Sequence, residues 1–224
     1  MLKTETIDRV VMSDGTEFVL ARHDDEWMVR VGERMLMSSR MHDSEEALAD
    51  RAIERSPDPG AVLVGGLGLG FTLRAVLDLV SADAEVTVVE LVPSLVDWNR
   101  DHVGILTDHP LDDPRCEVMV GDVYDTIKGS KRQFDVILLD VDNGPEALSS
   151  TGNQRLYSES GVRACYSALR PNGVLAVWSS GTNARFERRL AGAGFDVDVV
   201  RVAAHHGSRA RYVLFLAQRP ARKR

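Results

Sequence analysis

The chain has 224 residues, 44% hydrophobic and 27% charged, the make-up of a globular protein with room for one large core, which excludes disordered, collagen-like and disulfide-stapled classes. Its formal charge is −7, and because the last six residues, RPARKR, carry +4, the remainder carries −11; nucleic acid is therefore not expected as a partner. No stretch approaches the roughly 18 consecutive apolar residues of a membrane span, and MLKTETIDRV lacks a signal peptide's apolar run, so a cytoplasmic location without membrane contact is expected.

The first forty or so residues alternate in short stretches, DRVVMS, EFVLAR and EWMVRV, with turn signals at Asp14-Gly15 and Asp24-Asp25, predicting a small antiparallel meander. Asp43, with Glu46 three residues on, reads as the cap of a helix through ALADRAIER, which Pro57-Asp58-Pro59-Gly60 closes. From Ala61 the apolar runs AVLVG, EVTVVE, CEVMVG, FDVILLD and GVLAVWS alternate with segments of helical spacing, including SLVDWNRDHVGIL and residues 154–169, so parallel strands covered on both faces are expected. A helix near 183–193 and two strands, FDVDVVRVAA and RYVLFLAQR, follow, and their short connection requires an antiparallel pair. This order resembles class I methyltransferase-like (Rossmann-like) α/β domains, a mostly parallel seven-stranded sheet with an antiparallel C-terminal hairpin. The expected division is a β-meander over residues 1–42 and that domain over residues 43–224.

The stretch Gly65-Gly66-Leu67-Gly68-Leu69-Gly70 leaves a buried strand and enters a helix. Glycines allow the turn and a close approach of backbone to a ligand, and the helix N-terminus offers free N–H groups. Glu90, at the end of the next strand, is placed to accept hydrogen bonds from both hydroxyls of a ribose. The dinucleotide fingerprint needs GxGxxG, whereas here Gly66, Gly68 and Gly70 form GxGxG, a spacing that looks like an S-adenosylmethionine site. Asp122 ends the third strand, where it can accept the adenine amino hydrogen while Val123 covers the ring, and Asp140 ends the fourth.

Together VLVGGLGLG, TVVELVP, VGDVYD, FDVILLDVDNGP and LYSESGVRACYSALRPNGVLAVWS resemble the spermidine synthase family of aminopropyltransferases, over about residues 34–218. The resemblance implies a small-molecule transferase that uses decarboxylated S-adenosylmethionine to alkylate a polyamine, with Glu90 on the ribose, Asp122 on the adenine and Asp140 as the base or orienting carboxylate. It also implies a homodimer. Three positions depart from the family pattern: Gly68 where an aspartate would meet the aminopropyl ammonium, Asn143 at the second place of a DxxD pair unless Asp142 substitutes, and Leu36 where a glutamine is expected. Without the loop acid, the carboxylate of intact S-adenosylmethionine can meet glycine N–H groups, so methyl transfer is the favoured expectation. Aminopropyl transfer to a polyamine and a non-catalytic nucleoside-binding homologue are the alternatives.

His205, in the loop between the last two strands, reaches the cofactor edge if the first of them runs parallel to the sheet, and could act as a base; His206 shares that loop. Tyr157 and Trp178, near strand ends, could form an aromatic wall for the acceptor. Trp98 reads as core or as a dimer anchor. Cys116 and Cys165 have neither CxxC spacing nor a histidine cluster, and the remaining histidines are scattered, so no metal is expected.

Overall fold

The computed structural model describes residues 4–141, 144–146, 153–205 and 207–221. Four strands open the chain: β1 (Glu5–Val11), β2 (Glu17–His23), β3 (Glu26–Val31) and β4 (Arg34–Ser38), in an antiparallel sheet of order β1-β2-β3-β4. The expected meander is there with a fourth strand, RMLMS, added. Its turns fall at the glycine and aspartate signals, with Gly15, Asp24 and Gly32 in the left-handed region. Helix α1 (Asp43–Ile53) follows, but His42 rather than Asp43 occupies its N-cap, and the Glu46 carboxylate accepts from the His42 ring at 2.7 Å instead of closing a capping box.

Beyond residue 60 the order is β5 (Ala61–Gly65), α2 (Phe71–Leu79), β6 (Glu85–Glu90), α3 (Pro93–Trp98), β7 (Cys116–Val120), α4 (Val123–Gly129) and β8 (Phe134–Leu139). Then come α5 (Asn153–Leu156), α6 (Glu159–Ala168), β9 (Leu169–Ser179), α7 (Ala184–Gly192), β10 (Asp196–Ala203) and β11 (Arg211–Gln218). These strands form one seven-stranded sheet of order β10-β11-β9-β8-β5-β6-β7, parallel throughout except for β11, which pairs antiparallel with both neighbours. Central β5 and β8 are almost wholly buried, as parallel strands covered on both faces must be. One face carries α1 and α2 through Leu48, Ala52, Leu73 and Val76. The other carries α4, α6 and α7 through Ile127, Val162, Cys165, Phe186 and Leu190.

The Arg170-Pro171-Asn172-Gly173 stop is not a loop between helix and strand. It is an irregularity inside β9, where Asn172 takes φ 66° and the pairing with β8 shifts between Phe134 and Val136. Trp98 is buried, donates to Asp8 of β1 at 2.6 Å and packs with Leu20 and Val29 of the first sheet, so it joins the two sheets and has no surface left for a dimer contact. Cys116 and Cys165 are free thiols. Among the described residues no helix is long and apolar enough to cross a membrane, and no three His, Cys, Asp or Glu side chains are grouped to hold a metal ion.

Candidate active site

Six parallel strands present their carboxyl ends on one edge of the sheet, and the loops there converge because each chain segment must turn back at the same level. The glycine loop leaves β5 with Gly66, Gly68 and Gly70 all at positive φ. Gly66 is tied to the site most tightly: a Cβ on it would lie 2.3 Å from the carbonyl oxygen of Asp140. Gly65, beside it, leaves no room before Val123, which is buried in the core rather than open to a ring.

Glu90 lies beneath the loop, nearly fully buried, where its two carboxylate oxygens accept the Leu67 N–H at 2.8 Å and the Val92 N–H at 2.9 Å. Burial pushes its pKa up, and the backbone donors partly offset that. Asp122 caps α4 by accepting from the Tyr124 N–H at 2.8 Å, while its other oxygen meets Arg155 at 2.7 Å. The Arg155 guanidinium lies over the Tyr124 ring, 4.9 Å from its centroid.

Asp140 faces a cavity of about 290 Å³ between the two sheets. Its carboxylate accepts the Thr72 hydroxyl at 2.6 Å, and its backbone N–H is held by the Gly65 carbonyl. Burial, with the Glu90 charge nearby, pushes its pKa up against the effect of that hydrogen bond. Glu45, in the first turn of α1, lines the same cavity and is pushed up to about 8, first by burial and then by the Asp140 charge. The wall also includes Met35, Leu36 and Met37 of β4, Gly68, and Trp178 and Tyr212, whose rings pair with centroids 4.6 Å apart. Met37 covers the glycine loop, its sulfur 3.1 Å from where a Cβ on Gly68 would stand.

Of the predicted site residues, the cavity unites Gly68, Asp140, Trp178 and Leu36; Glu90, Asp122 and Val123 lie at or below the adjoining strand ends. Tyr157 is elsewhere, buried edge-on to Phe186, with its hydroxyl donating to the Val141 carbonyl at 3.2 Å. His205 follows β10, which runs parallel to the main strands as anticipated, yet it is not part of the cavity wall. Asp142, Asn143 and His206 lie outside the described residues. Glu45, Thr72 and Tyr212 are among the cavity groups that sequence reasoning missed.

The topology and the strand-end carboxylates define a protein of the methyltransferase-like fold. Its overall shape matches a spermidine synthase solved with the transition-state analogue AdoDATO (TM-score 0.79, 22% identity, 97% of this chain and 74% of that one) and the spermidine synthase of Thermotoga maritima (0.76, 21%, 97% and 73%). The family model described as spermine/spermidine synthase domain matches residues 41–188, and the chain belongs to that family. Polyamine aminopropyltransferase 2 of Pseudomonas aeruginosa is 33% identical over 178 residues, 78% of this chain and 44% of that protein. Polyamine aminopropyltransferase of Aeropyrum pernix is 34% identical over 130 residues, 58% and 40%. The chain thus spans less than half the length of these two relatives. These matches overturn the expectation of methyl transfer drawn from Gly68: the relatives are aminopropyltransferases, and a missing loop acid in a chain of their family does not point to a methyl donor.

Proposed function

We propose that the chain is a polyamine aminopropyltransferase, moving an aminopropyl group from decarboxylated S-adenosylmethionine to a small amine. The observation that carries this reading, beside the family, is Asp140: a carboxyl with a raised pKa, fixed by Thr72 and abutting the glycine loop, and open to a cavity large enough for an extended alkylamine. In the reaction the amine lone pair attacks the propyl carbon bound to sulfur, the C–S bond breaks with its electron pair going to sulfur, and the nitrogen gives up a proton. Asp140 is the acceptor for that proton, and burial, by pushing its pKa up, makes it a stronger base than an ordinary carboxylate. Glu90 is assigned to the ribose and Asp122 to the adenine amino group, the latter by exchanging its Arg155 contact for the base. Gly65, Gly66, Gly68 and Gly70 are assigned the wall on which the nucleoside rests, with Val123 packed behind Gly65.

Replacing Asp140 by Asn tests the assignment. Aminopropyl turnover should fall by about 100-fold or more, as for removal of a general base, while calorimetric affinity for 5′-methylthioadenosine stays within about twofold. Unchanged turnover would take Asp140 out of the mechanism.

A further inference from the structure

We propose that His42 is a positioning residue: its ring, stacked on Phe71, holds the first turn of α2 so that Thr72 keeps its hydrogen bond on Asp140. This rests on the aminopropyl-transfer reading only in taking Asp140 as the base. The link itself, from the cap of α1 through α2 to Asp140, is present without substrate.

The first turn of α2 has no fastening of its own. Its N-cap is Gly70, at φ 89°, which has no side chain to accept from the N–H groups of the turn. Contacts from other elements hold the turn instead. Thr72, buried, donates its hydroxyl to the Asp140 carboxylate at 2.6 Å. Phe71 packs against the apolar cluster that joins the first sheet to α3, and its ring lies on that of His42 with centroids 4.1 Å apart and planes 6° from parallel.

His42 is placed for this by its own helix. It occupies the N-cap of α1 yet makes no side-chain cap bond, because its Nδ1 meets the Glu46 carboxylate one turn on, at 2.7 Å. That bond fixes the tilt of the ring and leaves its face to Phe71. Phe71 and Thr72 are consecutive, so a Phe71 ring without its partner lets the turn move. A displacement of about 0.5 Å would carry the Thr72 hydroxyl out of the range of about 2.5–3.0 Å in which such bonds form. The bond favours the ionised form of Asp140 against burial, and losing it makes the carboxyl harder still to ionise. The other titratable groups bearing on Asp140 are Glu45 of α1 and Glu90 at the end of β6, with Tyr212 of β11 on the same cavity, and none of them is a link between His42, Phe71 and Thr72.

Nuclear magnetic resonance titration of isotope-labelled aspartate carboxyl carbons in the unliganded protein, with D140N assigning the signal, reads Asp140 directly. In T72V its midpoint should rise above that of the parent. In H42A it should rise by at least half as much, and in H42F, which keeps a ring for Phe71 and removes any charge, it should stay with the parent. H42L stands in for H42A if the smaller side chain does not fold, and melting curves check each variant. H42A at the parent's midpoint, H42F displaced as far as H42A, or an unmoved T72V would each overturn the proposal. Where the parent transfers the aminopropyl group, the acid limb of kcat/KM against pH should move to higher pH in T72V and H42A and not in H42F. A moved midpoint with an unmoved limb, or a parent that transfers nothing, counts against Asp140 as the base of that reaction, while the titration still decides the positioning.

Discussion

Gly66 couples the glycine loop to Asp140, the carboxylate proposed as the base. At φ 90°, with the Asp140 carbonyl 2.3 Å from where a Cβ would stand, it admits no side chain without displacing one segment or the other. Gly15 has nearly the same φ, 86°, with nothing within 4 Å of that position, and so separates backbone strain from crowding. Gly15→Ala should cost about 1 kcal/mol of stability by left-handed strain alone, with nucleoside affinity intact. Gly66→Ala should cost about 3 kcal/mol or more and abolish binding of 5′-methylthioadenosine, as thermal melts and calorimetry would show. Equal losses in the two variants would deny Gly66 its place at the site. Glu45 supplies a pH signature at the same scale. It keeps its proton in the folded chain up to about pH 8, whereas the unfolded chain releases it near 4.5. Between those values the folded state binds more protons, so its contribution to stability falls as pH rises. The melting temperature of the unliganded parent should therefore drop more steeply from pH 5 to 8 than that of E45Q. The glycines, Glu90, Asp122 and Asp140 were legible in the sequence because strand ends mark them. Glu45 was not, because α1 reaches the site only through tertiary packing; the one local signal was an acid in register with Leu48 and Ala52.

Among the elements, the segment after Glu90 departs most from its periodicity. SLVDWNRDHVGIL reads as one helix, but α3 stops at Trp98, a π turn spans Asn99–Val103, and a 3₁₀ turn follows over Gly104–Thr107. The cause is visible at Asn99, buried, whose side-chain N–H groups reach both the Leu95 carbonyl and the Gly68 carbonyl at 2.8 Å. A widened turn lets one amide serve the helix and the glycine loop together, a use typical of π turns near functional sites. Asn99→Ala should lower stability by about 1–2 kcal/mol and weaken 5′-methylthioadenosine binding about tenfold, since Gly68 loses its anchor. A variant that melts earlier but binds as before would make Asn99 purely structural. Similarly, residues 154–169 form two helices, because Ser158 leaves the helical path to cap α6 at the Gly161 N–H, 3.1 Å away. Such interruptions come from side-chain to backbone bonds that periodicity does not encode.

At the scale of the molecule, the alternation of strands and helices and the short β10–β11 connection made the fold class readable. The strand order did not follow from them: β5 pairs with β8 as well as β6, and β11 inserts between β9 and β10, both through contacts distant in sequence. That order brings the ends of β5, β8 and β9 side by side, and the first sheet closes over them through β4, placing Met37 on the glycine loop. The site is thus shared between two sheets, and the donor it accepts is the central question. Mass spectrometry of the protein incubated with putrescine and either decarboxylated or intact S-adenosylmethionine answers it most directly. The account predicts aminopropylated amine and 5′-methylthioadenosine from the decarboxylated donor and no methylated amine from the intact one. Methylated product, or no aminopropylated product, would contradict it.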